Sequence, residues 1–163
     1  MYEALLEEAR QKGLTVIEKY PFLSDRIRGL CCDDTIALSA AIETGAERTV
    51  VLCEELAHAT GSIGNILEDP RMERKAREQS FQRLASPEAL IEAYLCGARE
   101  SWEFAEHLGV TEPFLAEVMQ NYRARYGVLK KVTFGEAEYA LTFEPILTIR
   151  KWGGAKRRRK EPV

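Results

Sequence analysis

The sequence predicts an α+β fold that is mostly helical. Apolar residues recur with helical spacing over most of the chain, and the alternation typical of strands is confined to two short regions. One helix precedes the first of these regions and five follow it, an order that favours α+β over a parallel α/β sheet. At 163 residues, 45% of them apolar and 30% charged, the chain has the length and composition of one compact domain.

Capping and stop residues place the ends of the elements. Gly13 and Gly61 each follow a helical pattern, and Pro70 and Pro87 each stand in the first turn of one. The predicted helices span residues 2–12, 45–60, 70–85, 86–97, 101–108 and 112–126. Two apolar segments, 26–31 and 35–39, flank Asp33-Asp34 and predict a hairpin, hence a small antiparallel sheet. Alternating apolar residues between 132 and 143 predict further strands at the end of the chain.

Charge is distributed unevenly along the chain. Residues 150–160 carry seven positive side chains, whereas residues 1–149 hold 16 Lys and Arg against 25 Asp and Glu. An acidic body argues against a general nucleic-acid binder, although the basic end could contact phosphate or an acidic partner. We therefore expect a single domain over 1–150, followed by a basic, disordered tail over 151–163.

The sequence also indicates where the protein works. No apolar run approaches ~18 residues, and the acidic, amphipathic start is unlike a signal peptide, so we expect no membrane contact. None of the four cysteines sits in a C-x-x-C pair, and four are too few for a disulfide scaffold. The prediction is a cytoplasmic protein with reduced thiols.

The segment 49–60 is the most informative part of the chain. It is an apolar helix interrupted by only three ionisable groups, Glu54, Glu55 and His58. Burying them costs several kcal/mol unless something compensates them, and a divalent metal would do so. Glu54 and His58 are four residues apart and point to one spot on the helix, with Glu55 at its side. This is the H-E-x-x-H zinc helix with Glu54 in place of the first His, in which the outer residues bind zinc and the central Glu activates water.

A third metal ligand is expected from the next helix. The acids that follow are Glu68, Asp69, Glu73 and Glu78. Asp69 is better explained as a helix cap, and Glu68 falls in the predicted loop. Glu73 lies one turn inside the helix, where its carboxylate can project back at His58, and is the preferred ligand.

These segments together resemble a known family. The sequence from Val51 to His58, followed by Glu73-Arg74-Lys75-Ala76-Arg77, resembles the ImmA/IrrE metallo-endopeptidases of phages and mobile elements. Further similarity lies at 90–94, 104–111 and 139–149, and the resemblance covers roughly residues 3–150. It implies a minimal zincin-like metallopeptidase domain, with Glu55 as general base and with His58 and Glu73 as zinc ligands. It also implies a protein substrate, namely a helix-turn-helix repressor of a phage or mobile element.

Glu54 stands where many members of that family have His. Two His and one Glu leave a Zn²⁺ site with a net charge of about +1, whereas Glu54, His58 and Glu73 bring it to zero. A less positive centre acidifies bound water less, and an oxygen-richer one relaxes selectivity toward Mn²⁺ or Fe²⁺. We expect metal binding to survive this change and catalysis to be weak or tightly conditional.

Two other interpretations of these residues stay open. The fold could keep its partner without the chemistry, or His58 could bond Glu54 or Glu55 in a metal-free core network. Glu55-x-x-His58 also occurs in di-iron bundles, but these need a second Glu-x-x-His, and the only other histidine, His107, follows Phe104 at that spacing.

A helix-turn-helix-like subregion at 101–126 suggests how a non-catalytic protein would bind its partner. Its would-be recognition helix begins with Glu112 and Pro113, and acidic groups there repel phosphate. A structural helix pair or a protein-binding surface is favoured over DNA contact. The alternative to a peptidase is therefore a regulatory protein that engages a repressor or DNA through 101–126 and the basic tail.

Overall fold

The fold is α+β, as the sequence predicts. A computed structural model describes residues 1–61 and 70–154. In chain order the elements of these residues are α1 (Tyr2–Gln11), β1 (Thr15–Tyr20), β2 (Gly29–Cys32), β3 (Thr35–Ser39), α2 (Gly45–Gly61), α3 (Pro70–Leu84), α4 (Pro87–Leu95), α5 (Ser101–Leu108), α6 (Glu112–Tyr126), β4 (Lys130–Phe134), β5 (Ala137–Thr142) and β6 (Thr148–Gly154). The helices match the predicted ones to within two residues at every end.

The first sheet is mixed, which corrects the prediction of a purely antiparallel one. β2 and β3 form the expected hairpin, with Cys32 opposite Thr35. β1 was not predicted, and it pairs parallel with β3, so that the strand order is β1-β3-β2. Five of the six β1 side chains are exposed. The strand therefore has no buried face to produce an alternating pattern, and only its backbone pairing defines it.

The second sheet is antiparallel, with the order β4-β5-β6. β6 continues to Gly154, which pairs with Ala137. The last strand thus passes the expected domain boundary at 150 by four residues, because backbone pairing with β5 holds exposed Lys151 and Trp152 in the sheet. Residues 155–163, the rest of the predicted tail, lie outside the described part of the chain.

Helix α2 lies at the centre of the fold. Leu52 and Leu56 on it are buried almost completely, and the helix packs against α1, α3, β2 and β3. All four cysteines are free thiols. In the described ranges, 1–61 and 70–154, no helix combines the length and apolarity needed to cross a bilayer.

The predicted helix pair of 101–126 is formed by α5 and α6. Gly109 ends α5 in the left-handed conformation, and the Thr111 hydroxyl caps α6 by accepting from the Phe114 N–H. α6 is fixed to the end of α3 by Tyr122, whose buried hydroxyl donates to the carbonyls of Phe81 and Ala85. This contact holds in place the helix that carries Glu73.

Candidate metal centre

The polar side chains of α2 lie on a helix that is otherwise apolar. Its neighbouring residues Val51, Leu52 and Cys53 are buried in the core. Glu54 and His58 are one turn apart, and their side chains keep 20% and 29% of their surface exposed. Two ionisable groups therefore stand at the margin of the core on one helical face, as their spacing predicts.

Helix α3 supplies a partner for each of these two groups. His58 Nε2 lies 3.1 Å from Glu73 Oε2, and Glu54 Oε1 lies 3.4 Å from Arg77 Nη1. The later residue of α2 pairs with the earlier residue of α3, so the two helices run antiparallel at this point. Because Glu73 and Arg77 are themselves one turn apart, the two contacts form successive rungs between the helices.

Arg77 also binds a third helix. Its Nε and Nη2 groups donate to Glu117 Oε2 on α6, at 2.8 Å and 2.6 Å. Both distances are those of charge-assisted hydrogen bonds, whereas the Arg77–Glu54 contact is longer and is an ion pair only. The guanidinium is thus held firmly by Glu117 and reaches Glu54 mainly by electrostatic attraction.

Glu54 is the least satisfied polar group of the site. Its Oε1 atom is buried and has no hydrogen-bond partner within the described residues. Burial raises the pKa of the Glu54 carboxyl, Arg77 opposes this rise, and the negative charges of Glu73 and Glu117 add to it. An under-compensated carboxylate of this kind is a ready ligand for a cation.

Glu55 faces the first sheet. Its carboxylate lies near the backbone of Cys31 on β2, and Gly29 of the same strand lies against its side chain. Burial raises the pKa of Glu55 to about 7, with further contributions from Glu54 and Glu73, while the nearby Cys31 backbone lowers it. Burial, followed by the nearby Glu55 charge, also raises the pKa of the Cys31 thiol.

The structure brings together some of the predicted site residues and not others. Glu73 does meet His58, as its position on α3 predicts, whereas Glu54 contacts Arg77 instead. Across residues 1–61 and 70–154, no three His, Cys, Asp or Glu side chains are grouped closely enough to hold one metal ion. The alternative ligands Glu68 and Asp69 lie outside the described residues.

In the metal-free interpretation, the partner of His58 differs from the expected one. His58 was expected to bond Glu54 or Glu55, yet the ion-pair partner that the described residues give it is Glu73 on α3. A residue on the next helix reaches the imidazole because α2 and α3 are packed side by side. The network is consequently inter-helical rather than confined to α2.

The sequence reasoning missed Arg77 and Gly29. Arg77 follows Glu73 by four residues, so the helical spacing that selected Glu73 also places Arg77 on the same face. Gly29 begins a strand, where a glycine often marks a close approach of another element. Both signals were present in the sequence, but neither identifies its partner without the packing of α2.

Comparisons with models of protein families, with characterised proteins and with solved structures give no match to this chain.

Proposed function

We propose that the chain is a metal-dependent endopeptidase with a zincin-like site, acting in the cytoplasm on a helix-turn-helix repressor of a phage or mobile element. The observation that carries this proposal is the 3.1 Å contact of His58 with Glu73, one turn from the buried Glu54 oxygen that has no hydrogen bond among the described residues. Glu55 lies beside this turn, on the flank that faces β2. The family resemblance of the sequence supplies the substrate class.

The donor set fits a divalent metal in its chemistry. Glu54, His58 and Glu73 would hold the ion, and two carboxylates with one imidazole suit Zn²⁺, with Mn²⁺ or Fe²⁺ as alternatives. The buried, unsatisfied Glu54 oxygen is the feature of the structure that such a cation would relieve. Bound metal of this kind supplies Lewis acidity toward a carbonyl and acidifies water.

Glu55 is the residue that handles protons in this proposal. In the metal-free protein burial raises the pKa of Glu55 to about 7, above that of a free carboxyl, so its carboxylate accepts a proton from water more readily and can later donate it to the leaving amine. The carboxylate lies beside the Cys31 backbone, and Gly29 leaves room for it next to β2. Glu55 therefore has both the protonation behaviour and the fixed position that a general base needs.

The same strand offers a place for an extended substrate. β2 is an outer strand of the first sheet. A peptide that adds to the sheet alongside β2 uses main-chain hydrogen bonds, which suit a protein substrate of any local sequence. Since Glu55 lies against Gly29 of this strand, the substrate backbone would run close to its carboxyl.

Metal analysis tests the metal site directly. Protein purified without chelator is expected to contain about one metal ion per chain, and Glu73→Ala should raise its dissociation constant at least about tenfold. Glu78→Ala is the matched control, because Glu78 is an acid on the same helix with no contact to His58 among the described residues. Equal loss of metal in both variants would refute the ligand set, and absence of metal from the parent protein would refute a metal-dependent activity of the natural chain.

Catalysis needs a separate test. Glu55→Gln is expected to keep the metal and to lose cleavage of a co-expressed repressor, because an amide cannot accept a proton. Comparable cleavage by Glu55→Gln and the parent would remove Glu55 from the mechanism.

A second candidate function is supported by the Glu54–Arg77 contact. This ion pair gives Glu54 a protein cation, as in a network that needs no metal. The chain would then be a non-catalytic regulator that binds a repressor or DNA through residues 101–126 and the basic tail. Persistent absence of metal, together with repressor binding that survives Glu55→Gln, favours this candidate.

A further inference from the structure

Arg77 stands between two carboxylates that belong to different helices. Two of its N–H groups bind Glu117 Oε2, at 2.8 Å and 2.6 Å, while its third nitrogen lies 3.4 Å from Glu54 Oε1. The Glu54 oxygen gains no hydrogen bond from this approach. Arg77 is therefore held by hydrogen bonds to Glu117 on α6, whereas its contact with Glu54 on α2 is an ion pair without a hydrogen bond.

We infer that Arg77 and the metal are alternative counter-ions of Glu54. Arg77 therefore helps to set the affinity of the site for the metal. The inference rests on the proposed function, since it concerns the ligand that this function assigns to Glu54. It names a regulatory role for a residue that the proposed chemistry does not use.

The positions of the charges support competition. Glu54 pairs with Arg77, and His58 pairs with Glu73, so the three proposed ligands are divided between two rungs. A metal held by all three has to share or replace the Arg77 charge at Glu54. A guanidinium next to a divalent ion repels it, and at this partly buried site water screens the repulsion incompletely.

Glu117 determines how strong the competition is. While it holds two N–H groups of Arg77, the guanidinium stays at 3.4 Å from Glu54, without hydrogen-bond geometry. Without that anchor, Arg77 is free to form hydrogen-bonded contact with Glu54, where it would block the ligand more effectively. Glu117 thus favours metal loading, although α6 carries none of the proposed ligands.

Substitutions of Arg77 and of Glu117 are therefore expected to change the affinity for Zn²⁺ in opposite directions. Arg77→Met removes the competing charge and should lower the dissociation constant for Zn²⁺ by about threefold to tenfold. Glu117→Gln releases Arg77 toward Glu54 and should raise that constant by a similar factor. Arg77→Lys keeps a cation without the planar fork and should fall between Arg77→Met and the parent.

The measurement is competition of the purified protein with a zinc-binding chromophore, with Zn²⁺ alone as the probe. Arg123→Met and Glu144→Gln are matched controls, because they remove the two ends of an ion pair away from α2 and should leave the constant unchanged. Structural damage weakens binding in both variants of a pair, so opposite shifts cannot arise from misfolding.

The outcomes separate this inference from the proposed function. One outcome is that the parent protein binds zinc while the dissociation constants of Arg77→Met and Glu117→Gln shift in the same direction or do not shift. That result would overturn the competition between Arg77 and the metal, but it would not contradict the metal site. Absence of zinc binding in the parent and in Glu117→Gln, but binding in Arg77→Met, would support the competition and show that the natural chain is locked in its metal-free form. Absence of zinc binding in every variant would refute both.

Discussion

Glu55 can lie against the first sheet only because residue 29 has no side chain. A Cβ atom at Gly29 would stand 2.6 Å from Val51 Cγ1 and 2.7 Å from Glu55 Oε1. Both distances are shorter than van der Waals contact, so any larger residue would push α2 away from β2 or turn Glu55 out of its position. The proposed general base therefore depends on a glycine in another element.

Gly29→Ala is expected to destabilise the protein by about 1–3 kcal/mol, because the added methyl overpacks the contact between β2 and α2. Gly45→Ala is the control, since a Cβ there meets nothing within 4 Å and the backbone is not left-handed. Urea denaturation of both variants gives the two free energies of unfolding. Equal stability of Gly29→Ala and Gly45→Ala would show that α2 has room to yield at this point.

At the scale of the elements, local signals were sufficient for the helices but not for every strand. The Ser86 hydroxyl accepts from the Ala89 N–H, and Pro87 follows it in the first turn, as the sequence predicts for α4. β1 escaped prediction because its partner β3 is distant in sequence and its own side chains are mostly exposed. Strand pairing of that kind is decided by the whole fold rather than by a local pattern.

The same distinction applies to the candidate site. Helical spacing alone selected Glu54, Glu55 and His58, and it placed Glu73 where it could reach His58. The Arg77 contact could not be obtained in this way, because it requires the antiparallel alignment of α2 with α3. That alignment depends in turn on what holds α3 to the rest of the fold.

Tyr122 is expected to be a main support of α3. Tyr122→Phe leaves the carbonyls of Phe81 and Ala85 without this buried donor, and the free energy of unfolding should fall by about 1–2 kcal/mol. Tyr126→Phe is the control, because Tyr126 lies next to Tyr122 but has no hydroxyl hydrogen bond among the described contacts. Thermal or urea denaturation at neutral pH measures both, and equal effects of the two variants would contradict the role given to Tyr122.

For the whole molecule, carboxyl groups with opposite pKa shifts determine how stability depends on pH. Burial raises the pKa of Glu54 and that of Glu55, the latter to about 7. Each therefore binds a proton more tightly in the folded protein than in the unfolded chain, and the stability they contribute is lost as pH rises through the folded pKa. The hydrogen bond from Arg83 lowers the pKa of Glu8 to about 2, so its contribution is lost as pH falls toward that value.

The metal-free protein, kept in chelator, is accordingly expected to be most stable near pH 5 and to lose stability toward pH 8. For Glu55 alone, a rise from 4.5 to about 7 corresponds to a loss of about 3 kcal/mol at most. Glu55→Gln removes this titration and should flatten the decline above pH 5. Glu8→Gln should instead lower stability by a constant amount above pH 5, leaving the slope there unchanged, and should flatten the fall on the acid side. Denaturation midpoints of the three proteins at matched pH values provide the comparison.

Adding Zn²⁺ should reverse the slope above pH 5 in the parent protein. Metal ligands bind in their deprotonated form, so binding to Glu54, His58 and Glu73 strengthens as protons leave, and the stability gained from the ion grows with pH. The denaturation midpoint with excess Zn²⁺, minus that in chelator, is expected to increase from pH 5 to pH 8 in the parent and to be smaller at every pH in Glu73→Ala, whose weaker binding lowers the stability gained from the ion. A zinc-induced shift of equal size in both proteins would place the ion elsewhere on the molecule and would exclude the pairing of α2 with α3 as its site.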